Sequence, residues 1–270
     1  MIPAEAKIGV VIGTYASKPF VELGLAALQY STCGSVSILV HDDGSDDFPD
    51  ISRTARRYGA EACTPGRRIG KPGQSMLGDM SAFAMGLEWA SVNNIDILVK
   101  FSRRWIVARD WVSGLQELAH NTQYATYSAT DMMCGLGFRA ECCALHVPSW
   151  MESGGYDMLR AQIATGEQPV HGLVGGAEGW YHNIVRHVHK WAHPDPTDRL
   201  DLCAYSESHF PKSVTCDSYG FWPMMGLSRA QKLPGILWHH SCPISDYVAL
   251  AQSLGLSYTE ADFELSGEAQ

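Results

Sequence analysis

The sequence has no CxxC pair, no long apolar run and no excess of positive charge. Each absence excludes a class of protein. Eight cysteines spread over 270 residues, with Cys142 and Cys143 adjacent in an apolar stretch, do not make a disulfide scaffold or a structural zinc site, so reduced thiols are expected. The apolar runs are too short to cross a bilayer, and Met1 to Lys7 lacks a charged-then-apolar leader pattern, so the expectation is a soluble, unexported, cytoplasmic protein without a membrane span. Lys plus Arg number 20 against 29 Asp plus Glu, a net charge of -9. That balance argues against a broad electrostatic footprint on nucleic acid, which is therefore not an expected partner, although a local basic groove is compatible with it. Internal repeats and low-complexity tracts are missing as well. What is present is a chain 46% hydrophobic and 18% charged, enough for a sizeable core in one large domain or two small ones.

The first half alternates strand and helix patterns. Residues 8–12, IGVVI, form an apolar run ending at Gly13-Thr14, as a buried parallel strand would. Pro19 opens a helix with Phe20, Leu23, Ala27 and Leu28 at helical spacing. Residues 36–40 read as a second strand that runs into the acidic turn HDDGSDD. A short helix over 50–58 stops at Gly59, and a third strand falls around Ala62-Cys63. Residues 64–74, TPGRRIGKPGQ, form a basic, Gly/Pro-rich loop before a helix over 75–92 and a strand over 96–101.

This rhythm predicts an α/β fold, an open, mostly parallel sheet with helices on both faces. In such sheets ligands bind beyond the carboxyl ends of the strands. Those ends carry Gly13-Thr14-Tyr15, Asp42-Asp43 and Ser102-Arg103-Arg104, a nucleotide-sized polar site on one edge. The second half is less regular. It offers a helix over 109–120, a strand over 138–147, a turn at Gly154-Gly155 leading to a helix over 157–165, the Gly-rich stretch HGLVGGAEG, a helix over 180–191 and an amphipathic segment over 246–254. The expected division is a nucleotide-binding half, residues 1–130, and an acceptor-binding half, residues 131–270, of a single domain.

Residues 8–47 resemble the N-terminus of family 2-like glycosyltransferases of the GT-A fold, which open with an apolar strand, a TYN-like turn, a helix and a strand ending in DDGSxD. The matching pieces are Thr14-Tyr15 and Asp42-Asp43-Gly44-Ser45, with Asp47 closing the pattern. The resemblance continues weakly through residues 78–90 and 96–101, and returns at Gly154-Gly155-Tyr156-Asp157, which is similar to the family's GGFDE. It implies a GT-A, Rossmann-like open mixed sheet and transfer of a sugar from a nucleotide-sugar, a UDP-sugar first of all, to an acceptor hydroxyl. By that resemblance Asp42 and Asp43 are candidates for the base and ribose contacts. A strand-end carboxylate can accept a hydrogen bond from the imide N–H of uracil, and backbone groups at Thr14-Tyr15 can complete the pocket. The alternative is an ordinary acidic surface turn, since Asp-Gly-Ser is common turn chemistry.

The chain also departs from the family. Where the family places a DxD motif that holds a divalent metal on the donor diphosphate, this chain has Ser102-Arg103-Arg104. A hard divalent cation wants oxygen ligands, so a donor-bound metal is in doubt and no residue set is expected to hold one. Three readings stay open: Arg104, helped by Arg103 and Lys100, replaces the cation on the leaving diphosphate; the fold persists as a binding protein without catalysis; or the strand end is merely solvated. The loop with Arg67, Arg68 and Lys71 either reaches the diphosphate or is only a charged loop.

The family supplies its general base as an ED-like motif at a helix start after GGFDE. Glu178 falls there, although the motif's second acid is Ala177 or Gly179 and the following Arg comes late. Its alternative is favourable charge near a helix N-terminus. Asp157 is a candidate sugar or acceptor contact, or a helix cap. His182 and His189 share a helix face but lack the i,i+4 zinc pattern with an accompanying acid. His239-His240 could meet the diphosphate from a C-terminal loop or belong to a packed aromatic turn. The late aromatics, Trp180 among them, either stack on sugar faces or build the core.

The expectation is thus an inverting, metal-independent glycosyltransferase with Glu178 as base and Arg104 on the diphosphate. Its rivals are a non-catalytic sugar-nucleotide- or glycan-binding protein on the same fold, and a glycosyltransferase acting on modified DNA bases. The acceptor, a glycan, small molecule or macromolecule, is open. A nucleotidyltransferase ranks last, because its Gly-rich phosphate loop is absent between Ile12 and Pro19.

Overall fold

The computed structural model describes residues 1–70, 76–103, 105–128, 142–167, 181–192, 236–238 and 242–268. The chain divides into two compact units. One comprises Met1–Gly9, Leu87–Lys100 and Trp111–Ser228; the other comprises Val10–Gly86, Phe101–Asp110 and Arg229–Gln270.

The apolar run at the N-terminus forms β1 (Ile8–Thr14), buried at every position but Gly13. Helix α1 (Lys18–Thr32) follows, with Pro19 in its first turn, where a missing N–H costs nothing. Its residues Phe20 to Leu28 are all buried, Glu22 among them. Then come β2 (Ser37–Asp42), α2 (Phe48–Arg57), β3 (Glu61–Cys63), α3 (Met76–Val92) and β4 (Ile97–Ser102). These match the expected frame, displaced by a residue or two at the ends. Beyond them lie β5 (Trp105–Val107), α4 (Val112–Thr122), β6 (Thr126–Ser128), β7 (Cys142–His146), α5 (Val147–Glu152), α6 (Gly155–Thr165) and α7 (His182–Ala192). The described chain closes with β8 (Ile236–Trp238), α8 (Ile244–Ser253) and α9 (Glu260–Glu268).

Six strands form one open sheet in the order β3-β2-β1-β4-β7-β6. β2 and β3 are parallel. The Lys7 carbonyl, just before β1, takes the amides of Asp96 and Ile97 at the start of β4, so β1 and β4 also run parallel. β6 and β7 are antiparallel, with Thr126 opposite Leu145. The sheet is therefore mixed and mostly parallel. The chain lays β2 and β3 on one side of β1 and returns to place β4 on the other. That reversal is the topological switch point at which open α/β sheets bind ligands.

Several elements differ from expectation. Residue 147 ends the predicted strand but begins α5, because Pro148 suits a first helical turn and cannot continue a ladder. β5, β6 and β8 have three residues each, too short to show a period. β5 pairs antiparallel with β8, Trp105 opposite Trp238. α9 is fixed by a capping arrangement in which Asp262 accepts from the Thr259 amide at 2.8 Å and its hydroxyl at 2.7 Å.

The C-terminal helices complete the core around α1. Phe20, Leu23, Ala27, Ile106, Tyr247, Ala251 and Phe263 form one buried cluster. Phe20 meets Tyr247 and Phe263 edge-on, with ring centroids 5.4 and 4.9 Å apart. Buried Glu22 accepts from Arg57 at 2.8 Å and from the Tyr258 hydroxyl, tying the end of the chain to its first helix. Among the described residues, no helix is long and apolar enough to cross a membrane.

Candidate functional site

The turn after β2 is built by its own acids. Asp42 is fully buried and spends its carboxylate on Ser45: Oδ1 accepts from the Ser45 amide at 2.7 Å, and both oxygens accept from the Ser45 hydroxyl. This is an Asx-type turn, the reason Asp and Ser stand three apart here. Gly44 occupies it with φ 77°, a left-handed conformation that suits glycine.

Asp43 does something different. Its amide donates to the Thr14 carbonyl at 2.9 Å, joining the ends of β1 and β2. The residue is only 5% exposed, and its carboxylate accepts the amides of Ile69 at 3.0 Å and Gly70 at 2.8 Å. The basic loop is thereby docked on the strand edge. Two glycines permit the fit. A Cβ on Gly78, in the first turn of α3, would stand 2.4 Å from Asp43 Oδ2, and one on Gly44 would stand 2.4 Å from the Arg67 carbonyl carbon. Burial pushes the pKa values of both acids up. The Ser45 hydrogen bonds to Asp42 oppose that shift, as do the Ile69 and Gly70 amides and the Arg68 charge at Asp43.

The docked loop lays the Arg68 guanidinium 3.9 Å from the centroid of the Tyr15 ring. Tyr15 is in turn held through its backbone. Arg103 Nη1 donates to the Tyr15 carbonyl at 2.9 Å and to the Ser17 hydroxyl, which itself donates to that carbonyl at 2.6 Å. Between them Ala16 adopts φ 45°, unusual for a residue with a Cβ. Behind this edge His41 lies buried with Nε2 3.3 Å from Ser81 Oγ, and burial lowers its pKa to about 4.

The groups left without an internal partner are informative. Among the described residues, Thr14 Oγ1, Ser102 Oγ and Arg68 Nε are buried and make no hydrogen bond. Both carboxylates of the edge have internal donors, whereas two hydroxyls and a guanidinium N–H do not. Such an edge suits a ligand that brings acceptor oxygens.

Of the expected site residues, Thr14, Tyr15, Asp42, Asp43 and Arg103 come together here. Lys100 is fully buried in β4. Asp157 is exposed in the first turn of α6, where a negative charge is favourable. Tyr181 is fully buried, a core residue, while Trp191 remains 45% exposed. His187 directs Nε2 to the Ser153 carbonyl at 2.7 Å. Arg104, Glu178, Trp180, His239 and His240 lie outside the described residues, as does Lys71. The Arg68–Tyr15 stack, the Gly78 cradle and the His41–Ser81 pair were not anticipated. The only sequence signal for the stack is the tandem Arg67-Arg68 in the loop.

The strand end where the resemblance would put a metal carries Ser102 and Arg103, with Arg104 outside the described residues. Ser102 offers a hydroxyl and Arg103 a guanidinium already engaged with Tyr15 and Ser17, not the oxygen ligands a hard cation needs. Among the described residues, no group of three or more His, Cys, Asp or Glu could hold a metal ion.

No family model matches the sequence, and no curated protein matches it. Solved structures do resemble it. Residues 1–349 of S. aureus TarS share 12% identity at a TM-score of 0.47, over 68% of this chain and 55% of that one. The glycosyltransferase GlyE of Streptococcus pneumoniae TIGR4 shares 14% at 0.46, over 68% of this chain and 44% of GlyE. TarS 1–349 in complex with UDP shares 11% at 0.44, over 67% and 64%. Each is a partial likeness at low identity, and this chain spans less than two thirds of the length of each.

Proposed function

We propose that the protein is a glycosyltransferase of the GT-A type that takes a nucleotide-sugar, a UDP-sugar first, at the carboxyl edge of β1, β2 and β4. One observation carries this reading: the edge's acids have internal partners, while Thr14 Oγ1, Ser102 Oγ and Arg68 Nε have none. A nucleoside diphosphate supplies the acceptor oxygens these donors lack. The strand-end position at a switch point and the TY and DDGS motifs agree with it.

In this reading Thr14, Tyr15 and the Asp42-Asp43 turn border the nucleoside, and Arg68 with Arg104 meets the diphosphate. Arg103 holds the Tyr15 loop. Glu178 takes the proton of the acceptor hydroxyl as its oxygen forms the bond to the anomeric carbon. The bond to the diphosphate breaks, and the guanidinium of Arg104 meets the charge that develops there, so the sugar is inverted without a metal. Residues 1–130 form the donor half and 131–270 the acceptor half.

Calorimetric titration with UDP, UDP-GlcNAc, GDP-sugars and dTDP-sugars tests the reading. Binding of at least one is expected, with turnover that survives EDTA; failure of all of them to bind removes it. A second reading, a binding protein without catalysis, is favoured by the engagement of Arg103 with backbone and Ser17 rather than with open space. Detectable transfer or donor hydrolysis would eliminate it.

A further inference from the structure

We propose that Asp43 is a positioning residue: it pins residues 66–70 to the strand edge and acts on a bound nucleotide through Arg68 rather than by touching it. Asp43 is 5% exposed, and each of its carboxylate oxygens already receives a backbone N–H from the loop, Ile69 on Oδ1 and Gly70 on Oδ2. Gly78 closes its third side, leaving no room even for a methyl group beside Oδ2. What the pinned loop delivers outward is Arg68, stacked 3.9 Å from the centroid of the Tyr15 ring with a buried, unpartnered Nε. The docking has an independent mark at Gly44, whose missing Cβ lets the backbone of Arg67 and Arg68 approach. A family-like role for Asp43 as an imide acceptor would require a carboxylate open to the ligand. Here the residue is buried, with both oxygens turned to the loop's amides.

The effect on nucleotide rests on the function proposed above; the pinning does not. Amide hydrogen exchange of the nucleotide-free protein reads it directly. Asp43→Ala should speed exchange at Ile69 and Gly70 roughly a hundredfold or more, the scale of two lost charge-assisted hydrogen bonds, with β1 and β2 still protected. If that variant does not fold, Asp43→Asn serves, because its amide nitrogen cannot accept the second N–H. Unchanged exchange at both amides in a folded variant overturns the proposal.

UDP titration of Asp43→Ala, Arg68→Ala and the double variant then separates the two routes. Acting through Arg68, the double variant should lose no more affinity than the worse single one. Losses that multiply mean that Asp43 touches the nucleotide itself, and the proposal falls. Gly44→Ala, which displaces the loop with the carboxylate intact, should reproduce the UDP loss of Asp43→Ala; full UDP affinity with a displaced loop overturns it too. If the unmodified protein binds no nucleotide, the glycosyltransferase reading fails while the exchange result still decides the role of Asp43.

Discussion

Two clamps of opposite charge shape the same strand edge. Asp43 gathers the amides of Ile69 and Gly70, and Arg103 gives hydrogen bonds to the Tyr15 carbonyl and the Ser17 hydroxyl. The carboxylate clamp is nearly fully buried, hemmed in by glycines, and raised in pKa by that burial. The guanidinium clamp is half-buried, keeps its charge at any working pH, and stands over a strained backbone at Ala16. Packing and pH therefore govern the first, local backbone energy the second. A site with two such fasteners holds its loops without spending an exposed charge on them.

The comparison breaks hardest at Gly44. Gly44→Ala adds a left-handed strain and a collision with the Arg67–Arg68 backbone, about 3 kcal/mol in all. Denaturant unfolding should show a loss of that order, and a loss under 1 kcal/mol would mean the loop yields freely. Acid should act next. His41 is held neutral, with a folded pKa of about 4 against 6.5 unfolded, so stability is full above 6.5 and falls as pH drops towards 4, by up to about 3 kcal/mol. Asp79 beside it tempers the shift. The raised values of Asp42 and Asp43 work the other way, returning some stability as pH falls through them. Unfolding midpoints at pH 7, 5.5 and 4.5 should decline, and His41→Gln should flatten that decline.

Arg103→Ala tests the second clamp. Losing two charge-assisted hydrogen bonds should cost about 2 kcal/mol, with no change in the pH slope. An altered slope would show that the clamps are coupled. The smallest effect sharpens the contrast: Ala16→Gly relieves the positive φ and should stabilise by about 1 kcal/mol or less, read as a raised Tm. Destabilisation would place the strain elsewhere.

The frame from β1 to β4 was legible because buried parallel strands are long apolar runs bounded by helices, which a single sequence displays. Three-residue strands such as β6 display no period, and their pairing is decided by neighbours remote in sequence. α9 is capped by Thr259 and Asp262, but its apolar pattern is too short to mark a helix in the sequence. At the site the sequence located Asp42 and Asp43 but not what they bind. Their donors are a side chain three residues on and two amides of an aperiodic loop, and residue letters do not say where a backbone N–H points. The tie from Arg103 to Tyr15 spans most of the first half of the chain and follows only from the sheet order.

The cluster that joins Phe20 to Tyr247 and Phe263 bears on how the protein comes into being. During synthesis α1 precedes α8 and α9, which cover part of its apolar surface. At typical elongation rates that partner is on the order of ten seconds or more behind. Until it arrives, buried Glu22 lacks the Tyr258 hydroxyl and Phe20 lacks its two aromatic neighbours. The growing chain then leaves this face of α1 open to misassociation, and closing the contact must await the synthesis of α8 and α9.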